Sequence, residues 1–318
     1  MDDELLESEP QKERQLHWIF IGREGVRPGW SVLLYALLVV VFAAGMGWAV
    51  HHFVPHPPAR NAPMTPRGGA VGEGLQALAV LAATAIMARA EGRPVLSYGY
   101  LGRAKLVRFA GGLLCGFAAV SALVGALWKA RLLVVDGRML SGAVAIRYGL
   151  EWAGVFLLVG LFEESLLRGY LQFRVARGIG FWWSALLLSV AFGSIHGSNP
   201  GESPVGLFSA GAIGLIFCLS LWYTGSLWWA LGFHAAWDWG ESYFYGTSDS
   251  GLAVKGHLLA THPAGGLLWS GGLTGPEGSL LVVPLLLAMA LLMWLWWGRR
   301  GAEFPAMEAD RRARRGVS

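Results

Sequence analysis

Residues 161–170 read Leu-Phe-Glu-Glu-Ser-Leu-Leu-Arg-Gly-Tyr, two adjacent carboxylates and an arginine running out of an apolar helix. The long helix that holds them is predicted over about Tyr148 to Arg177, so the charges fall at membrane depth. Ionisable groups are expensive there and persist mostly where function needs them. The stretch therefore points both to a membrane helix bundle and to a polar site inside it.

Composition supports the bundle. With 54% hydrophobic residues, 14% charged residues, 16 Trp and 45 Gly among 318 residues, a single soluble domain would leave too much apolar surface in water. The net charge of +4 is modest, and the basic residues gather in loops and at the C-terminus. That distribution reads as topology and attraction to lipid headgroups, and it excludes nucleic acid as a partner. Cys115 and Cys218 each sit inside an apolar run, match no metal spacing and read as packing residues.

The predicted class is all-α, a polytopic membrane helix bundle of about eight transmembrane helices with its catalytic core in helices 4–7. A polar cytoplasmic tail (1–28) lacks the basic start and short apolar core of a cleavable signal peptide. Transmembrane helices 1–3 with their loops fill 29–147, the core 148–245, a Gly-rich loop and helix 8 residues 246–298, and a basic tail 299–318. The first span is predicted over Trp30 to Val50 and a shorter second one over Gly74 to Arg89. Between them, His51 to Ala70 reads as an aqueous loop, whose His51, His52 and His56 lack a neighbouring cysteine or carboxylate for a metal site. Ser203-Pro204 supplies a cap and first-turn proline for helix 6, and Thr224-Gly225-Ser226 a tight turn into helix 7. Neither internal repeats nor broken helices are expected. With the N-terminus inside, 18 of the 25 lysines and arginines lie on the cytoplasmic side. The positive-inside rule thus predicts an integral protein of the cell (inner) membrane with both termini cytoplasmic.

On a helix Glu163 and Glu164 point about 100° apart. Glu164 and Arg168 stand i, i+4 and can pair, which leaves Glu163 for other work. Phe192-Gly193-Ser194-Ile195-His196 ends helix 5 in a histidine, and Phe233 to Asp238 places His234 and Asp238 one turn apart on helix 7. Counted from the connecting turns at ~1.5 Å per residue, Glu163 lies roughly 21 Å from Arg177 and His196 about 22 Å above Phe181. His234 and Asp238 lie about 12 and 18 Å above Ser226 on the same rise. All four depths overlap once tilt is allowed. Such a set suits hydrolysis: Glu163 accepts a proton from water, His196 holds or polarises that water, and His234 stabilises the oxyanion. The same residues, Glu163, His196, His234 and Asp238, are alternatively able to ligate a divalent metal such as zinc that acidifies the water, although no compact zinc spacing is present.

Glu-Glu-x-x-x-Arg, Phe-x-x-x-His and His-x-x-x-Asp, in this order on successive membrane helices, resemble the intramembrane proteases related to the type II C-a-a-X prenyl endopeptidases, also called the CPBP or Abi family. The likeness covers about Tyr148 to Tyr245. It implies an intramembrane endopeptidase in which Glu163 activates water and His196, His234 and Asp238 complete the site, with Glu164 and Arg168 matching the first motif. Asp238 stands where many relatives carry Asn, so either orienting His234 or binding a metal remains open to it. The implied partners are the lipid bilayer and a membrane-associated or prenylated peptide or protein substrate. Trp228, Trp229, Trp237 and Trp239 line either a lipid-facing groove or an interfacial aromatic belt. His257 and His262 fall beyond the motifs. Two other classes stand beside it: a transporter with Glu163, His196 and His234 as a proton relay, and a non-catalytic membrane scaffold that recruits partners through its basic tail.

Overall fold

The computed structural model describes residues 21–22, 25–53, 62–300 and 304. Most of the polar N-terminal tail, His56 and the Arg311–Arg315 basic run lie outside the described residues. Two short strands, β1 (Ile21–Gly22) and β2 (Gly25–Val26), lead into helix α1 (Pro28–Phe53), followed by α2 (Pro66–Ala90) and α3 (Lys105–Lys129). After strand β3 (Leu133–Arg138) comes the long α4 (Gly142–Ile179), then α5 (Phe181–His196) and α6 (Pro204–Thr224). Helix α7 consists of Trp228–Asp238 continued by the π-helical turns Trp239–Tyr245. Strand β4 (Leu259–Pro263), the single turn α8 (Leu267–Ser270) and α9 (Val282–Trp297) complete the order.

Five of these helices, α1, α2, α3, α4 and α6, are long and apolar enough to cross a bilayer, and α5 and α9 are shorter apolar helices of 16 residues each. Leu33, Leu37, Val40 and Trp48 of α1, and Leu287, Leu291 and Leu292 of α9, are exposed large apolar side chains. Outward-facing apolar rows of this size fit a lipid surroundings and not water. The chain is a helical integral membrane protein.

Several predicted boundaries move. Helix α2 starts at Pro66 rather than Gly74, because Thr65 caps it by accepting from the Gly68 amide at 3.2 Å and Pro66 fills its first turn. The second span is thereby a full 25 residues and the connection before it shorter than expected. The all-α class carries a small addition: β3 and β4 pair antiparallel, Val134 opposite His262, and join the segment before α4 to the Gly-rich loop. Two helices are interrupted where none was expected. Helix α4 runs through π-helical turns over Ser165–Leu171, with Gly169 leaving helical backbone (φ −80°, ψ −123°), and α7 ends in π turns. Such turns add a residue per turn and cluster near functional sites.

Glycine fixes the placement of α7. A Cβ at Gly112 would lie 2.1 Å from the Trp229 carbonyl oxygen, one at Gly116 2.3 Å from that of Phe233, and one at Gly232 2.2 Å from that of Phe109. Backbones this close need small residues on both helices, the small-x-x-x-small packing of membrane interfaces. Around that contact, Val120, Leu123, Leu127, Phe217, Phe233, Trp237 and Met289 form a buried apolar core between α3, α6, α7 and α9.

Candidate active site

Helix α4 delivers its two glutamates to different places, as their angular separation requires. Glu164 is fully buried and bonds Arg168 Nη1 through Oε1 at 3.1 Å. The Arg168 guanidinium lies 4.2 Å over the Phe192 ring and 5.8 Å from that of Phe217, a cation–π setting that holds a buried charge between two aromatic faces. Glu163, whose side chain keeps 21% of its surface, reaches a cavity instead.

His234, fixed by the α3–α7 contact, sits between these carboxylates. Its Nδ1 is 3.2 Å from Glu164 Oε1, while its Nε2 is 3.4 Å from Glu163 Oε2 and 3.6 Å from Asp238 Oδ2. The ring stacks on Phe217 with centroids 5.4 Å apart. The unpaired Glu163 expected from the sequence is therefore corrected: Glu163 has a partner, sharing His234 with Glu164 and Asp238. At the end of α5, His196 Nδ1 is 2.8 Å from the Phe192 carbonyl. A carbonyl only accepts, so Nδ1 carries the proton and Nε2 of the neutral ring is left as an acceptor. Glu163, His196, His234 and Asp238 all line one cavity of about 320 Å³. The four depths counted along the helices thus meet in space.

As potential metal ligands the four are less well gathered. Among the described residues they do not bring three ligand atoms within 4.8 Å of one another, whereas Glu241, Asp249 and Glu277 do. The residues fit a hydrogen-bonded acid–base set better than a preassembled zinc site.

Other lining residues come from outside the motifs. Glu73 and Gln76 project from α2, and Asp249, Ser250 and Glu277 come from the loop between α7 and α9. That loop is an ordered cover. Asn199 donates to the Ser250 carbonyl at 2.8 Å, Thr274 Oγ1 to that of Gly201 at 3.1 Å, and the Met64 amide to that of Ala253 at 2.9 Å. Burial, reinforced by the charges of Asp238 and Glu277, holds the Asp249 carboxyl well above the usual carboxylate range. Burial likewise raises Glu277, against the opposing hydrogen bond from Ser250. A carboxylate in α2's apolar run, Glu73, was a readable signal; nothing in the loop's sequence marked Asp249 or Glu277 as site residues.

The remaining candidates lie elsewhere. His262 Nδ1 pairs with exposed Asp136 at 2.8 Å and His257 Nδ1 with the Leu259 carbonyl at 2.6 Å. Trp229 is buried in the core, Trp228 and Trp239 donate to the Tyr100 and Gly149 carbonyls at 3.1 and 2.9 Å, and Trp237, nearly buried, is the one of the four that borders the cavity. Cys218 is buried as expected, but Cys115 is exposed on α3.

Residues 145–240 match the family model of the type II CAAX prenyl endopeptidase, Rce1-like. The match contains all six motif residues, from Glu163 to Asp238. No curated protein and no solved structure matches the chain.

Proposed function

We propose, taking the chain as an intramembrane protease of the type II CAAX prenyl endopeptidase family, that it cleaves a membrane-associated peptide by a glutamate-activated water. The observation that carries this reading is the opposition of Glu163 to His234, at 3.4 Å, on a cavity that also presents His196. A water held by His196 Nε2 gives a proton to Glu163 and attacks the scissile carbonyl. The developing oxyanion is stabilised by the proton on His234 Nε2. Glu163 then passes its proton to the departing amine.

Glu164 and Arg168 are positioning residues in this scheme. Glu164 fixes His234 through Nδ1, and Arg168 fixes Glu164. Asp238 holds the Nε2 side of the same ring. A zinc-assisted version would draw on Glu163, His196, His234 and Asp238; because those atoms do not converge, no step is routed through a metal. The substrate is a prenylated C-terminus or another peptide that reaches the cavity from the bilayer. Purified Glu163→Ala protein should lose peptide cleavage while melting like the wild type, and the His196→Ala protein likewise. Unchanged cleavage in either would overturn the reading.

A further inference from the structure

At the floor of the catalytic cavity, where Asp249 and Glu277 line it, lies a second group of carboxylates that the hydrolytic scheme does not use. Glu241 belongs to the π turns of α7, one turn beyond Asp238, and Asp249 and Glu277 to the covering loop. Each offers an oxygen within 4.8 Å of the others. Glu241 has no exposed surface, and neither of its carboxylate oxygens has a hydrogen-bond partner, although the Trp237 indole approaches it. Glu277 is nearly buried as well, and its Oε1 is already taken by the Ser250 amide at 2.7 Å. The charges acting on the group are mostly further carboxylates, Asp238, Glu163 and Glu202, with only the imidazoles of His196 and His234 opposing.

Buried carboxylates without a donor or cation are among the costliest arrangements in a protein. Here three converge, and the deepest is the one lacking partners. We propose that Glu241, Asp249 and Glu277 bind a divalent cation, calcium in preference to magnesium, which ties the covering loop to the end of α7. An all-oxygen set of carboxylates is the donor chemistry of hard cations and not of zinc. Oxygens up to 4.8 Å apart are spanned by two calcium–oxygen bonds of about 2.4 Å, whereas magnesium at about 2.1 Å requires the site to contract. Bound there, the ion neutralises the floor of the cavity and holds in place the loop that covers it. The proposal does not rest on the hydrolytic reading.

The test uses the full chain, purified in a zwitterionic detergent and stripped with a chelator, with equilibrium dialysis against radiolabelled calcium and thermal unfolding as readouts. Expected are stoichiometric calcium binding, a melting temperature several degrees higher with calcium, and a smaller rise with magnesium at the same concentration. Glu241→Gln should abolish binding and the calcium shift while melting, without calcium, at or above the wild-type temperature. Asp249→Asn, in a less buried position, should do the same and serves if Glu241→Gln does not fold. Glu163→Gln should retain calcium binding, which separates this site from the catalytic one. No binding to the wild type, binding that survives both loop and helix variants, or binding lost only in Glu163→Gln would overturn the proposal; the three carboxylates would then share protons instead.

Discussion

Two buried charged networks, one at the end of α2 and one around His234, are built differently. At the end of α2, Glu91 receives the Tyr98 hydroxyl at 2.7 Å and that of Tyr170, and lies 3.3 Å from Arg174 Nε. Arg174 in turn donates to Ser31 Oγ at 2.7 Å and to the Val26 carbonyl at 2.8 Å, locking the start of α1 to α4. Carboxylate, guanidinium and hydroxyls pair with one another, and the apolar cavity that Tyr98 and Tyr170 border is lined by neither Glu91 nor Arg174. At Glu163 the balance is reversed. Three carboxylates crowd one imidazole, a cavity takes the remaining valences, and Glu241 beyond it has no partner. A polar network that closes on itself holds helices together; one left open at membrane depth is available for chemistry.

That contrast is breakable by mutation. The largest effect is expected at the open network: His234→Ala should cut peptide cleavage per folded molecule by about 10²–10⁴-fold, the usual contribution of a positioned acid–base group. The closed network should answer in the opposite way. Glu91→Ala leaves Arg174 buried without its carboxylate and should cost about 3–5 kcal/mol of stability, read by denaturant or thermal unfolding, with cleavage per folded molecule retained. Intermediate between the two is Gly116→Ala, whose new methyl would meet the Phe233 carbonyl. It should cost about 1–3 kcal/mol and also lower kcat, because α7 carries His234.

The smallest effect concerns pH. Asp249 and Glu277 have folded-state carboxyls raised above their unfolded values, so between those values the folded state binds more protons than the unfolded one. Stability from these groups is therefore greatest at low pH and falls as pH rises from about 4 through the raised folded pKa, opposite to a salt-bridged carboxylate. Melting curves in chelator-containing buffer across that range should show the decline, and Asp249→Asn should flatten it.

Much of the open network was legible because its residues sit at fixed helical offsets. Glu164 and Arg168 at i, i+4, and His234 and Asp238 at i, i+4, each needed only one helix to be related, and a rise per residue related the helices to each other. Glu73 lies on α2, far from the motifs in sequence, and only the packing of α2 on α4 brings it to the cavity. Asp249 and Glu277 belong to a loop whose course depends on hydrogen bonds to the Asn199 side chain, the Gly201 carbonyl and the Met64 amide, for which no periodicity exists. The pairing of β3 with β4 is long-range for the same reason. The start of α2 is as legible as that of α6, because Thr65-Pro66 repeats the cap chemistry of Ser203-Pro204. The tryptophans of α7 leave a groove and a belt equally open from sequence; Gly112, Gly116 and Gly232 draw that helix into the core, where Trp237 borders the cavity.

The central claim is that Glu163 activates water for peptide hydrolysis inside the membrane. Its most direct test compares the termini of membrane proteins in cells carrying the wild-type chain with those in cells carrying Glu163→Ala at equal abundance. New termini present with the wild type and missing with the variant are the predicted result. Identical sets of termini in the two would contradict it.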